Sequence, residues 1–344
     1  MSVLDVFRQD AFSMIELTTA IDKVPFQPSG LGDLGIFEDK PIRTKALAVE
    51  QRQGKLVLIP TSARGAPRTE RTTEKRNVRY FEVPRLFHGD TIYAEELQSI
   101  REFGTESVFM QVQTEVARRL SGPTGLQANM EYTWEAHRLA AIQGKLIDAD
   151  GTVLFNWFNE FGIVAPGAIA FNLGAGATAA TGTIRKLCNQ VVRTMARAGQ
   201  GAFVPNRTRV FALCDDVFFD GFTNHMDVKQ TYLNWTAAAD LRQGNAFQSF
   251  NFAGIEWINY RGSDDLTTIA LPSGSAQFFP VGAPGVFQRA LAPAESFEFV
   301  NTPGRPLYPR IIIDEKRNEH VDLELTSYPL HICIRPEMLL TGSA

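Results

Sequence analysis

Residues 43–85 set the tightest limit on how this chain can fold. The stretch alternates apolar and polar residues in TKALAVEQRQGKLVLIP and again in NVRYFEVPRL, a spacing that predicts two strands around Gly54 and a further strand returning toward Arg85. Between them lies TSARGAPRTERTTEKR, which is polar and long for a hairpin tip. Eleven Lys and Arg against four Glu give the segment a net charge of +7, and because the whole chain carries −4, the remainder must carry −11. A two-stranded ribbon is marginally stable at best by itself. Either its charge keeps a solvated loop in solution, or the ribbon is held by a complementary acidic surface on another copy of the chain.

The rest of the composition is ordinary. With 344 residues, 44% apolar and 21% charged, the chain has a core to bury, and its 27 Gly and 18 Pro exclude collagen-like and low-complexity classes. At about 150 residues per domain the length suits two domains or one elaborated fold. The overall charge balance points to neither a nucleic-acid nor a membrane partner. No run of 18 apolar residues occurs, and acids interrupt the apolar N-terminal stretch, so neither a membrane span nor a signal peptide is expected. Cys188, Cys214 and Cys333 are widely spaced in apolar surroundings, as buried, reduced thiols of a cytoplasmic protein would be.

Residues 1–42 contain a short amphipathic stretch and then PFQPSGLGDLGIFEDKP, whose Pro and Gly predict an extended arm lying on some other surface. Residues 94–144 are the strongest helical stretch, interrupted at SGPTGLQ and ended by Gly144 in the manner of a C′ glycine. His137 on its last helix is expected in a core or interface. LIDADGTVLFNWF follows as strand, turn and strand. Asp148 and Asp150 do not make it a calcium loop, because the sixth and twelfth positions hold Val153 and Asn159 where Gly and Glu are needed. Residues 183–310 read as mixed α/β, and VDLELTSYPLHICIRPEML as the outer strand of a sheet packed on the long helix. Phe outnumbers Tyr 25 to 7, which suits cores and permanent interfaces.

The glycine-rich segment 174–182 is the one enzymatic temptation, since free N–H groups before a helix can hold phosphate. A P-loop would need Lys-Ser or Lys-Thr after the last glycine, but Thr183 and Ile184 follow Gly182. A dinucleotide fingerprint would need Gly where Ala179 stands, and an acid nearer than Asp215. Gly174, Gly176 and Gly182 serve equally well as a hinge, and a nucleotide-binding enzyme using 174–182 is the runner-up reading. His225 and Asp227 lack a nucleophile elbow. A single-stranded nucleic-acid binder would need aromatic stacking platforms among the cations, and residues 61–77 contain none.

The order of parts resembles one family: the arm, the basic hairpin with its Pro84-Arg85-Leu86 step, the long helix closing on Ala141-Ile-Gln-Gly-Lys145 with Asp150-Gly151 after it, a mixed middle, and Ser327-Tyr-Pro-Leu-His331. Together these resemble the phage lambda-type major capsid proteins, the protein E family, with 78–93, 137–151 and 322–337 the most specific stretches. The resemblance implies an α+β chain with the Hong Kong 97 capsid fold. Residues 1–42 would be the N-terminal arm, 43–85 the extended hairpin loop, 86–182 and 311–344 the peripheral domain with a long spine helix, and 183–310 the axial domain.

It implies a structural protein and no enzyme, without cofactor or metal, that builds hexamers and pentamers of an icosahedral shell around double-stranded DNA. The shell would expand from procapsid to mature head. Its partners would be further copies of itself, a scaffolding protein and portal during assembly in the host cytoplasm, a decoration protein, and packaged DNA held non-specifically, with no membrane. Arg64, Arg68, Arg71, Lys75 and Arg76 at the hairpin tip are then expected to make salt-sensitive contacts with a neighbouring subunit.

Overall fold

The structure is a computed structural model that describes residues 26–53, 75–99, 108–174, 182–233, 249–265, 267–313 and 319–344. The first described elements are one helical turn, α1 (Gly30–Asp33), and a short strand, β1 (Glu38–Pro41). The strands β2 (Ala46–Gln53) and β3 (Lys75–Glu82) pair antiparallel from Ala46 opposite Glu82 to Gln53 opposite Lys75, as their alternation predicts. Residues 56–60, expected as a strand, lie outside the described residues. β4 (Leu86–Tyr93) leads into three helices, α2 (Ala94–Ser99), α3 (Val108–Ser121) and α4 (Leu126–Ile142).

The break between α3 and α4 is steric. A Cβ on Gly122 would stand 2.2 Å from the Arg118 carbonyl oxygen, and one on Gly125 would stand 2.7 Å from that of Arg119. The expected spine is thus a series of helices. α4 ends where the sequence says it should: Gly144 takes φ +79° and donates to the Ala141 carbonyl at 3.1 Å, and any Cβ there would strike the Phe158 ring at 2.3 Å.

β5 (Lys145–Ile147) and β6 (Val153–Asn156) form the expected hairpin, its turn held by Asp150, which accepts from Thr152 N–H at 2.8 Å. Trp157 and Phe158 do not extend that strand. Asn156 caps a helical turn, α5 (Trp157–Phe161), accepting from Phe158 N–H at 3.1 Å, and Gly162 closes it at φ +66°. After β7 (Ile169–Ala170) the middle runs α6 (Thr183–Gly199), β8 (Arg209–Cys214), α7 (Asp216–Asn224), α8 (Met226–Leu233), β9 (Phe250–Phe252), β10 (Ile255–Asn259), β11 (Ser275–Val281) and β12 (Phe287–Leu291). The C-terminal strands are β13 (Tyr308–Ile313), β14 (His320–Ser327), β15 (Pro329–Cys333) and β16 (Leu340–Ser343).

A six-stranded sheet, β7-β16-β11-β8-β10-β9, is the largest. Its centre, β8, is buried from Val210 to Cys214, and α6 lays Ile184, Cys188, Val191 and Met195 into the same core at helical spacing. The abundant phenyl rings collect here. Trp257 stacks on Phe222 at 3.9 Å and meets Phe278 edge-on at 5.5 Å, while Phe171 and Phe218 complete the cluster. One continuous core runs from Leu31 to Leu340, and a second, smaller one lies between the helices and the sheet β13-β14-β4.

The segment 321–339, expected as one Pro-broken outer strand, is two strands in two sheets. β14 is the middle strand of β13-β14-β4, while β15 lies at the edge of β1-β12-β15. Pro329 explains the division, because a residue without an N–H is tolerated at the start of an edge strand and not within a central one. The expected packing on the long helix holds for both, since α4 rests against β14 and β15. The three cysteines are buried and free, as their apolar flanks imply.

Candidate assembly surfaces

The hairpin is rooted, not loosely tethered. Alternation turns Leu47 and Val49 of β2 and Phe81 of β3 into the core, with Val83 just beyond. Phe81 meets Phe155 at 5.8 Å, Trp157 at 5.6 Å and Phe161 at 5.8 Å, edge to face in each case, the favoured geometry for aromatic pairs. The Arg79 guanidinium lies 5.8 Å above the Phe161 ring. On the opposite face Val78 and Tyr80 are exposed, Tyr80 at 72%, and Lys45 meets Glu82 at 3.7 Å.

Of the five expected contact residues, Arg64, Arg68 and Arg71 lie outside the described residues. Lys75 and Arg76 open β3, where the register sets Lys75 opposite Gln53 and Arg76 opposite Arg52.

A second surface follows β12. Backbone bonds from Phe299 N–H to the Ser296 carbonyl and from Thr302 N–H to the Phe299 carbonyl, at 3.0 and 3.1 Å, fold residues 296–302 into a tight turn. Phe299 anchors it against Tyr308, ring centroids 4.8 Å apart, while Phe297 stands 99% exposed. Beside it Arg85 spans Glu295 at 3.7 Å and the Phe87 ring at 4.7 Å. A fully exposed phenyl ring on a braced turn marks a contact surface better than a scattered exposed apolar residue does.

The last part of the expected arm is locked to the body. Glu135 of α4 is fully buried and accepts from Leu31 N–H at 2.7 Å, Gly32 N–H at 3.1 Å, the Tyr260 hydroxyl at 3.2 Å and Arg138 at 3.1 Å. Burial, reinforced by the neighbouring carboxylate, pushes the Tyr260 hydroxyl pKa up, so this phenol remains a donor. Gly32 permits the approach, since a Cβ there would stand 2.9 Å from Arg138 Nη1. Upstream, Phe26 lies 3.6 Å from the Arg261 guanidinium and donates its N–H to Asp264 at 3.2 Å. Nothing in the sequence marks Glu135, which sits among other charged residues of an amphipathic helix.

The glycine-rich segment has its own anion. Asp227 accepts from Gly182 N–H and Ile184 N–H, each at 3.0 Å, and is buried. The chain's own carboxylate thereby fills the α6 N-terminus where a phosphate would have to sit. Asp227 N–H donates to His225 Nδ1 at 3.2 Å, so these two residues close a turn and cap a helix. Gly182 adopts φ +71°; Gly174 has open space around it, and Gly176 lies outside the described residues.

His137 is buried as expected, but sequence spacing could not reveal its neighbour: His331 of β15 packs against it, ring centroids 5.9 Å apart. Burial holds the His137 pKa down to about 4 against a modest opposing pull from Asp148, and lowers that of His331 as well, aided by Arg138 and Arg289. Both rings are therefore neutral at physiological pH. Burial pushes the Cys188 thiol up to about 12, which makes it inert. Among the described residues no group of three or more His, Cys, Asp or Glu could hold a metal, and no helix is long and apolar enough to cross a membrane.

The chain is similar to known proteins. The chain is 24% identical over 360 residues to the major capsid protein of Salmonella phage Felix O1, covering 96% of this chain and 95% of the relative. It is 25% identical to that of Pseudomonas phage KPP10, covering 98% of each. Among solved structures, the capsid of cyanophage P-SCSP1u covers 90% of this chain and 86% of its own at a TM-score of 0.51 and 10% identity. The mature capsid of bacteriophage PhiM1 covers 89% and 84% at 0.52 and 11%. The architecture is thus the α+β Hong Kong 97-type capsid fold that the order of parts implied. A family model for phage major capsid protein E matches residues 13–344, and the chain belongs to that family.

Proposed function

We propose that copies of this chain assemble through the basic hairpin into hexamers and pentamers of an icosahedral shell that encloses double-stranded DNA. The supporting observation is mechanical: Leu47, Val49 and Phe81 fix the hairpin root in the core, while the segment 43–85 to which they belong is net positive in a chain that is net negative. A rigid root lets force and register pass from one subunit to the next. Arg64, Arg68, Arg71, Lys75 and Arg76 grip an acidic surface of the neighbouring copy, and because these contacts are ionic they weaken as salt rises.

In this reading residues 86–182 and 311–344 form the peripheral domain and 183–310 the axial domain at the capsomer axis. Gly174, Gly176 and Gly182 act as the hinge between them as the procapsid expands, with Gly182 the fixed end because Asp227 holds it. The Gly and Pro of the arm let it rearrange as the procapsid expands, against the contacts that fasten 26–33 to α4 and the 261–264 loop. Scaffolding protein and portal act during assembly in the host cytoplasm, a decoration protein and the packaged DNA contact the finished shell, and the chain performs no catalysis.

The test neutralises all five hairpin cations to Gln and examines the product by negative-stain microscopy. Shells should be lost or become fragile while the subunit remains folded by circular dichroism. Normal shells from this variant would refute the role of the hairpin.

A further inference from the structure

The smaller core has an unfinished side. Its buried residues are Ile92 of β4, Leu126 and Met130 of α4, and Leu323 and Leu325 of β14. Register sets Ile311 of β13 opposite Leu323, and Ile313 opposite Val321, so both isoleucines stand on the face that the helices cover. Yet α4 packs over β4 and β14, and Ile311 and Ile313 remain 54% and 59% exposed, with Ile312 on the other face at 37%. β13 is also the edge of its sheet among the described residues. Native edges are usually blunted by charge, proline or a bulge; Pro309 and Arg310 do this at the start of β13, but the Ile311-Ile312-Ile313 run beyond them carries none of these.

We propose that β13 is a homotypic docking strand, pairing antiparallel with β13 of a second copy about Ile312. This inference rests on the assembly reading above. The occupant follows from self-complementarity: centring the pair on Ile312 puts Ile311 of each copy opposite Ile313 of the other. Directly opposed residues share a face, so the apolar stripe of one subunit continues into the next.

Pro309 fits this arrangement. A proline within an edge strand turns its nitrogen outward, and alternation then turns the N–H and C=O groups of Ile311 and Ile313 outward too, ready for a second strand. The contact is isologous and requires a two-fold axis between the copies. Three partly exposed isoleucines offer far less than the ~800 Å² per partner of a stable dimer. The pairing therefore adds to other interfaces within a shell and does not by itself dimerise free subunits.

The test is Ile312→Cys. In such a pair the two Cα atoms approach within about 4.5–5.5 Å, inside the range a disulfide spans. Mild oxidation of assembled shells should give a dimer that dithiothreitol reverses, while the unassembled variant and Arg310→Cys shells should give none. Shells of Ile312→Cys without the dimer would overturn the proposal, as would a disulfide from Cys introduced at 310 that forms equally well.

Hydrogen exchange on wild-type chain provides a measurement independent of the variant. The Ile311 and Ile313 amides should exchange at least tenfold more slowly in shells than in unassembled subunits, and unchanged rates would overturn the pairing. Failure of the wild-type chain to form shells at all would overturn the assembly reading and this pairing with it, whereas shells that lack the dimer and the slowed exchange would overturn the pairing alone.

Discussion

Glu135→Ala should both destabilise the subunit and release one defined segment. The carboxylate accepts from two backbone N–H groups of α1, from Tyr260 and from Arg138, which is itself largely buried beside it. Removing it leaves the buried Leu31 amide unsatisfied, at about 1–3 kcal/mol. It also strips the nearest partner from Arg138; breaking a buried ion pair in this way costs about 3–5 kcal/mol. These terms overlap, because the space left by the side chain admits water and Glu131 remains within 3.7 Å of Arg138. The expected loss is about 4 kcal/mol, which at roughly 2–4 °C per kcal/mol for a large domain is a fall in Tm of about 10 °C.

Glu135→Gln keeps the shape but turns an amide NH2 toward existing donors, and should cost about half as much. Urea unfolding of unassembled subunits gives the global figure. Hydrogen exchange should show the amides of residues 26–36 losing protection first, before the six-stranded sheet. An Ala variant with the wild-type midpoint and a still-protected Leu31 amide would refute the view that this carboxylate fastens the arm.

Two further outcomes follow from the same packing. Phe81→Ala should cost about 3–5 kcal/mol, as for a buried aromatic, and should raise exchange along β2 and β3 while sparing β8; an effect below 1 kcal/mol would mean the aromatic box does not hold the hairpin. The buried histidines predict acid sensitivity. An unfolded histidine takes up its proton near pH 6.5, whereas folded His137 resists until about pH 4. The unfolded state thus binds more protons across that window, and stability falls as pH drops from about 6.5 toward 4, by up to about 1.4 kcal/mol per pH unit for each such histidine. His331→Leu should flatten this slope, with a gain that grows toward the lowest pH, in urea midpoints measured from pH 8 to 4.5; slopes parallel to wild type would contradict it.

Local pattern made much of the fold legible. Alternation located β2 and β3 and glycine chemistry located the end of α4, while the SGPTGLQ interruption marked the break before α4 but not its start, which falls at Leu126 inside that segment. The misread elements were those in which a neighbour overrode the local signal. Trp157 and Phe158 look like strand residues, but the Asn156 cap and the aromatic contacts around Phe81 favour a helical turn. The segment 321–339 reads as one Pro-broken outer strand, but its halves on either side of Tyr328 serve two different sheets. Asp227 drew notice beside His225 as a possible catalytic residue, and its actual partner is a helix N-terminus 43 positions away in sequence, at Ile184. His331 had no pattern at all, since its partner His137 comes from a different element.

Charge distribution is a property of the linear chain, so the +7 excursion and the −11 remainder were determined by sequence alone. The order and spacing of parts likewise sufficed to indicate the family. Tertiary structure alone decided what is fixed and what is free. Whether a glycine-rich loop offers its N–H groups depends on whether a distant carboxylate reaches them, and whether an arm can move depends on which buried acceptor its amides find. Such pairings are set by packing across the chain, because a buried polar group must be satisfied by whatever the fold brings beside it.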